Sequence, residues 1–332
     1  MKKLRLGVLG CSAHYALRIA VPLKTAALVE PYGIASRDAA KAKKYAETWN
    51  FAKSYGSYEA LLNDPDIDFV YCPLPNHLHV EYIKKAADAG KPILCEKPVG
   101  LNAAQAAEAA EYCQKKNVPV MEAFMYRFHP QWTRSAEIVK SGELGTVMGT
   151  SGVFSYDNRN PQDIRNQAGI GGGGLLDIGC YCVSTARFLM EGEPERVVCN
   201  LIRDQTFKTD IFASGLLDFG DGRNSIFTVG TQIFPYQRVT AFGTAGTLSV
   251  EVPFNMYGDY PGHVTVITGI GERLVATEIA DQYRIEFDSF AAAVINKAPV
   301  PVPITDGIAN MAALDALFAS AASGKWEPVK KY

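Results

Sequence analysis

Short apolar runs alternate with stretches of helical period over the first 120 residues. Leu4-Arg5-Leu6-Gly7-Val8-Leu9 reads as a strand ending at Gly10, and a helix is expected over 15–26. A second apolar run, 28–35, is interrupted by Glu30-Pro31. An Ala/Lys-rich helix follows over 39–49, and another begins at Tyr58 behind Ser57 as its N-cap. Asp68-Phe69-Val70-Tyr71-Cys72 is a strand stopped by Pro73 and Pro75. Residues 79–89 form a helix closed by Gly90, then come a strand at 92–95, a helix at 103–116 and a strand at 118–123. Strands that are apolar throughout are buried on both faces. This half therefore predicts an α/β domain, a doubly wound parallel sheet covered by helices on both sides.

Beyond residue 145 the period changes to that of strands. Val/Thr/Phe-rich segments at 147–156, 196–203, 212–219, 225–231, 238–243, 247–252, 263–268 and 274–278 are split by Gly, Asp and Asn. Asp221-Gly222 and the turn from Gly243 to Gly246 predict hairpins. Helices over 182–190, 283–297 and 307–323 would cover one face. The expectation is a dinucleotide-type domain over 1–123 and an α+β domain over 124–332 with a large, open-faced, mostly antiparallel sheet. The last helices are free to pack back on the first domain.

Composition narrows the partners. At 332 residues the chain is long enough for two cores. Lys+Arg 33 against Asp+Glu 35 gives a net charge of −2, with no electrostatic footprint for nucleic acid or an anionic membrane. No apolar run reaches the ~20 residues of a membrane span. Met1-Lys2-Lys3-Leu4 leads into a strand-like segment rather than the apolar core of an export signal. The seven cysteines form no CxxC pair, and most lie in apolar or helical patterns, as reduced buried thiols do. A cytoplasmic protein acting on small molecules is expected.

Candidate chemistry gathers at strand ends. Gly7, Gly10, Cys11, Ser12 and Ala13 lie where the first strand meets the first helix, the place where a glycine turn and helix amides receive a pyrophosphate. Ser12 and Tyr15 stand where the usual fingerprint has its second and third glycines. After the second strand comes Ser36-Arg37-Asp38. A hydroxyl and a guanidinium suit a 2′-phosphate and favour NADP, while Asp38 leaves NAD open. Pro73, Leu74, Asn76, His77 and His79 follow the fourth strand, and Glu96, Lys97 and Pro98 the fifth, all on the edge where open α/β sheets bind ligands. His77 and His79 lack a third ligand of fitting spacing, so no metal is expected. The glycine run Gly171 to Gly174 leads as a flexible segment to Asp177 and Tyr181, four apart and so on one helix face. With Lys97 they make a proton-transfer set.

Glu96-Lys97-Pro98, the Pro75-Asn76-x-x-His79 stretch, Glu122 to Pro130 and Gly173 to Tyr181 together resemble the Gfo/Idh/MocA family of NAD(P)-dependent oxidoreductases. The likeness extends to Gly243-Thr244-Ala245-Gly246-Thr247-Leu248 and Glu286-Phe287-Asp288, so it spans essentially the whole chain. It implies a Rossmann domain and hydride transfer at a CH–OH carbon. Tyr181, where many members have histidine, resembles the branch of glucose–fructose oxidoreductase, aldose (xylose) 1-dehydrogenase and dihydrodiol dehydrogenase. By that resemblance Tyr181 is the general acid/base, Lys97 lowers its pKa, Asp177 orients sugar hydroxyls, and Pro98 is cis. Arg127, His129, Tyr156, Asn158, Asp163 and Arg165 are expected near the substrate. The implied activity is an NADP-dependent aldose 1-dehydrogenase, with keto-sugar reductase, trans-dihydrodiol dehydrogenase, cofactor-retaining transhydrogenase and non-catalytic cofactor sensor as alternatives. The open sheet face is where a homodimer or homotetramer is expected.

Overall fold

The computed structural model describes residues 2–332. The chain divides into two compact units, one of residues 1–125 with 281–307, the other of 126–280 with 308–332. The first unit is built on β1 (Leu4–Leu9), β2 (Val29–Ala35), β3 (Lys53–Tyr55), β4 (Phe69–Cys72), β5 (Ile93–Glu96) and β6 (Val120–Ala123). They form one parallel sheet in the order β3-β2-β1-β4-β5-β6. The intervening helices are α1 (Ala39–Trp49), α2 (Tyr58–Leu62), α3 (His79–Asp88) and α4 (Ala103–Lys116). Asp38 caps α1, Ser57 caps α2 and Asn102 caps α4 through side-chain oxygens. The register of β1 on β2 shifts between Leu6 and Gly7, opposite Pro31. Proline cannot donate to a ladder, and β3 pairs only with Gly33 to Ala35, so Pro31 faces no neighbour on that side.

The expected long helix over 15–26 is replaced by two short turns. Tyr15–Ile19 is a wide turn closed by Ala20 N–H on the Tyr15 carbonyl at 2.9 Å, and Pro22–Thr25 is a 3-10 turn. Pro22 cannot continue a helix, which explains the break. Residues 281–307 also belong to this unit, beyond the boundary expected after 123. A helix over Gln282–Asn296 sets Phe287 on Tyr71 and Phe290 on Phe69, and its Asp288 carboxylate accepts from Ala27 and Leu28 N–H.

The second unit begins with α5 (Pro130–Lys140) and β7 (Val147–Asp157). After α6 (Cys180–Met190) come β8 (Arg196–Arg203), β9 (Asp210–Asp218), β10 (Asn224–Gly230), β11 (Gln232–Gly243), β12 (Gly246–Val250), β13 (Pro261–Thr268) and β14 (Gly271–Ile279). The helix over Gln282–Asn296 is α7, followed by α8 (Ile304–Ser323) and β15 (Glu327–Pro328). The sheet has nine strands, ordered β14-β13-β12-β11-β7-β10-β9-β8-β15, and all its pairs are antiparallel except β10 with β7. α6 lies on its inner face, close enough that a Cβ at Gly152 would stand 3.2 Å from Cys182. Phe227, Val239, Val250 and Val264 line that face and are buried. The adjacent register row, Ile226, Ser151, Thr240, Ser249, Thr265 and Leu274, lies on the outer face. No helix among the described residues is long and apolar enough to cross a membrane.

Candidate active site

In the first unit the ends of β1 and β2 carry the nucleotide-type residues. Gly7 lies inside β1, where a Cβ would fall 2.6 Å from Leu61 on α2. It is a packing glycine, not a phosphate-loop glycine as expected. Gly10 is the turn residue, with φ +113, in a region that favours glycine. Ser12 Oγ accepts from Tyr15 N–H at 3.1 Å and its carbonyl accepts from the Tyr45 hydroxyl at 3.0 Å, which fixes the turn in place of a second glycine. Cys11 is half-buried and pushed up to about 11, chiefly by burial; Ala13 is exposed. Ser36 is buried and its Oγ accepts from Asp38 N–H. Asp38 spends its carboxylate on Ala40 and Lys41 N–H, as the cap of α1. Arg37 is exposed, and its charge acts on the Tyr58 hydroxyl, which lies 4.0 Å from where a Gly10 Cβ would be. Lys41, on the first turn of α1, lies close enough for its charge to act on Cys11. Lys41 and Tyr58 escape sequence reasoning because they belong to the next two helices. A hydroxyl with two cations is a donor set that fits a phosphate monoester.

The strand ends of β4 and β5 are tied together. Pro73 and Leu74 are buried, Asn76–Leu78 is a 3-10 turn, and His77 on it is exposed. His79 is wholly buried: Nδ1 lies 2.8 Å from the Pro98 carbonyl and Nε2 2.7 Å from the Leu74 carbonyl. It is a brace between two loops rather than a contact for a ligand. Burial pushes its pKa down against the pull of the two carbonyls. Cys72, His79 and Cys95 bring three ligand-type atoms within 4.8 Å of one another. Both ring nitrogens face carbonyl oxygens, and a neutral imidazole donates through only one of them.

Glu96 accepts from the Tyr71 hydroxyl at 2.6 Å and faces His14 Nε2 at 3.3 Å. Burial alone would raise its pKa, but His14, the Tyr71 hydroxyl and Lys97 hold it down at about 2. Glu286 of α7, also buried, is pushed up by burial and by the charge of Glu96. The Lys97–Pro98 peptide bond is cis.

In the second unit the glycine run is pinned. A Cβ at Gly172 would meet the carbonyls of Arg165, Ile164 and Gln167 at 2.6–2.8 Å, and one at Gly173 would fall 2.0 Å from Asp210 Oδ1. Asp210 Oδ2 accepts from Leu175 N–H at 2.6 Å. The run is therefore a close-fitting seat for the next turn, not a flexible lead. Leu175–Gly179 is a wide turn and α6 starts only at Cys180, so Asp177 and Tyr181 stand on successive elements instead of one regular helix. Asp177 Oδ2 accepts from the Tyr156 hydroxyl at 2.6 Å and from Arg165 Nε at 3.1 Å. Asp163 accepts from Arg165 and from Asn158 Nδ2, and Asn166 Nδ2 donates to the carbonyls of Asn158 and Asn160. The Asp177 carboxylate holds Arg165 protonated, and burial with Asp177 pushes the Tyr156 phenol far up, so Tyr156 remains a donor. Tyr181 is packed among the rings of Tyr126, Phe154 and Phe254 at 6.0, 5.7 and 5.0 Å.

Two expected substrate residues stand elsewhere. His129 is fully buried; its Nδ1 accepts from Gln131 N–H as the cap of α5, and burial pushes it down to about 4. Arg127 lies over the Phe188 ring at 4.8 Å. The structure thus gathers Tyr156, Asn158, Asp163, Arg165 and Asp177 into one network and leaves His129 in the core.

Known proteins match both units. Residues 4–124 match the model of the oxidoreductase family with the NAD-binding Rossmann fold, and 132–249 that of the GFO/IDH/MocA C-terminal domain. The D-xylose 1-dehydrogenase (NADP(+)) 2 of Haloferax volcanii is 38% identical over 329 residues, 96% of this chain and 97% of that protein. The trans-1,2-dihydrobenzene-1,2-diol dehydrogenase of Xenopus tropicalis is 34% identical over 226 residues, 68% of this chain and 67% of that one. The crystal structure of KijD10, a 3-ketoreductase from Actinomadura kijaniata in complex with NADP and TDP-benzene, superposes with a TM-score of 0.90 at 28% identity, covering 96% of this chain and 98% of that one.

Proposed function

This chain belongs to the Gfo/Idh/MocA oxidoreductases, and from that premise we propose that it is an NADP-dependent aldose 1-dehydrogenase, converting a cyclic aldose to its lactone. The observation that carries this reading is the Asp177 carboxylate, oriented by hydrogen bonds from Tyr156 and Arg165, four residues before Tyr181. A carboxylate held by two donors on one oxygen is a fixed acceptor for sugar hydroxyls, and the surrounding Asn158, Asp163 and Arg165 extend a polar surface suited to a polyol.

Arg37, Ser36 and Lys41 recognise the 2′-phosphate, and the backbone from Gly10 to Ala13 receives the pyrophosphate. NADP+, when bound, supplies the hydride acceptor. Tyr181 takes the proton from the anomeric hydroxyl as the carbon gives up its hydride, leaving a carbonyl. A free tyrosine, with pKa ~10, is a poor base near neutrality. In this reading the ammonium of Lys97 favours the phenolate of Tyr181 and so activates it. Asp177 holds the neighbouring hydroxyls in register, and the ring cage of Tyr126, Phe154 and Phe254 restricts the Tyr181 ring to one orientation.

The relatives named for dihydrodiol oxidation and keto-sugar reduction support the same chemistry on other substrates. A panel of aldoses, polyols, keto-sugars and a trans-dihydrodiol with NADP+ or NADPH, followed by the reduced-cofactor absorbance, tests the assignment. Aldoses should give the highest kcat/KM. Preference for a keto-sugar with NADPH would make it a reductase, and no turnover with intact cofactor binding would make it a sensor. Reduced-cofactor absorbance in the purified protein that survives dialysis would favour a transhydrogenase. We place the enzyme in the reducing cytoplasm, in keeping with its seven free thiols. A homodimer or tetramer would form across the outer face of the large sheet, where Ile226 and Leu274 are exposed beside serines and threonines; sedimentation of the purified protein tests it.

A further inference from the structure

One peptide group, that between Pro98 and Val99, is held at both ends by buried side chains. Its carbonyl oxygen lies 2.8 Å from Nδ1 of His79, and its N–H donates to Oε1 of Glu122 at 2.7 Å. His79 opens α3 and Glu122 stands in β6, so the two side chains reach the peptide from separate elements. Their relative exposures are 0% and 1%. A buried polar side chain is tolerated where it meets partners that need it. Turning the His79 ring over would set carbon atoms against both the Pro98 and Leu74 oxygens, so its orientation is determined. Glu122 is confined in turn by Gly307, where a Cβ would fall 2.5 Å from Oε2. On the other side of Lys97, Glu96 is anchored by the Tyr71 hydroxyl and His14. Lys97 therefore sits between two anchored points of the backbone.

We propose that His79 and Glu122 are positioning residues for Lys97, fixing the peptide that follows it and thereby the place to which its ammonium is delivered. The inference rests on the catalytic role given to Lys97 above. Neither side chain touches the reacting atoms; both act through the Pro98–Val99 peptide. Glu122→Gln keeps an acceptor for Val99 N–H, whereas Glu122→Ala removes it. His79→Gln keeps an amide donor for one carbonyl but removes the rigid ring that spans Pro98 and Leu74.

The test measures single-turnover rate, aldose KM and NADP+ affinity for these variants, alone and combined with Lys97→Met. Glu122→Ala should lower the rate about tenfold to a hundredfold, the cost of a misplacement on the order of 1 Å, with NADP+ affinity and aldose KM nearly unchanged. Glu122→Gln should recover most of that rate. In the Lys97→Met background, Glu122→Ala should cost nothing further, because its effect is transmitted through the missing ammonium. If Glu122→Ala does not fold, the same cycle is read with His79→Gln. A loss that persists undiminished in the Lys97→Met background, or an unchanged rate in folded single variants, overturns the positioning role while the function stands. Full turnover of Lys97→Met itself would overturn the catalytic role of Lys97 and this proposal together.

Discussion

Replacing Arg37 by alanine isolates the choice between NADP and NAD. Arg37 lies two residues beyond the end of β2, is exposed, and acts electrostatically on the Tyr58 hydroxyl, while the neighbouring acid is occupied as a helix cap. A hydrogen bond to a charged group contributes about 1.5–3 kcal/mol. Exposure and screening put Arg37 in the lower part of that range, about 1.5–2 kcal/mol. At about 1.4 kcal/mol per tenfold, Arg37→Ala should weaken NADPH about tenfold to thirtyfold. NADH, which lacks the 2′-phosphate, should lose almost nothing. Titrating nicotinamide fluorescence with each cofactor at low and high salt measures both affinities. The wild-type preference for NADPH should shrink as salt rises, since the Debye length falls from ~10 Å at 0.1 M to ~3 Å at 1 M, and the variant should respond much less. Equal weakening of both cofactors would refute the phosphate-clamp reasoning, because Arg37 would then act on a part that NAD shares.

Tyr156→Phe removes one of the two donors on Asp177 Oδ2, and should raise aldose KM about fivefold to tenfold, the value of roughly 1 kcal/mol for a single hydrogen bond, while leaving cofactor affinity intact. Saturation kinetics and cofactor titration on the same preparation check it. His129 is kept neutral down to about pH 4, whereas in the unfolded chain it takes a proton near pH 6.5. Its depressed pKa therefore lets stability fall as pH drops from 6.5 to 4, by roughly 3 kcal/mol in all. His129→Asn keeps a cap for α5 without the titration, so its melting temperature should decline less over that interval than the wild type's; parallel declines would remove His129 from the account.

Much of the fold was legible because it is periodic. Apolar runs ending in Gly or Pro marked β1, β4 and β5, and the Asp221-Gly222 turn marked a hairpin of the second sheet. What escaped depends on partners distant in sequence. The glycines at 171–174 look flexible in the chain, yet Asp210, on another strand, closes around them. α5 went unread although a cap, His129, is followed by Pro130 at the first helical position; its buried face mixes Trp132 and Ile138 with the polar Gln131 and Ser135. Segment 281–307 joins the first unit through Phe287, Phe290 and Asp288, contacts that no local pattern announces.

The site divides along the same line. Lys97, Asp177 and Tyr181 were visible as motif residues, and Asp177 proves to be the centre of a hydrogen-bonded network that the motif did not describe. Lys41 and Tyr58 were missed because they approach Arg37 and Cys11 from neighbouring helices. Gly7, His79 and His129 have the residue types of a ligand site, but burial turns them into packing, bracing and capping groups.

The central claim is that Tyr181 moves the proton while hydride leaves the substrate. Tyr181→Phe keeps the ring among Tyr126, Phe154 and Phe254 and deletes only the hydroxyl, so single-turnover reduction of NADP+ by the preferred aldose tests it most directly. The rate should fall about 10²- to 10⁴-fold, the contribution of a general acid/base, with NADP+ affinity unchanged. A variant that reduces NADP+ at the wild-type rate would contradict the account.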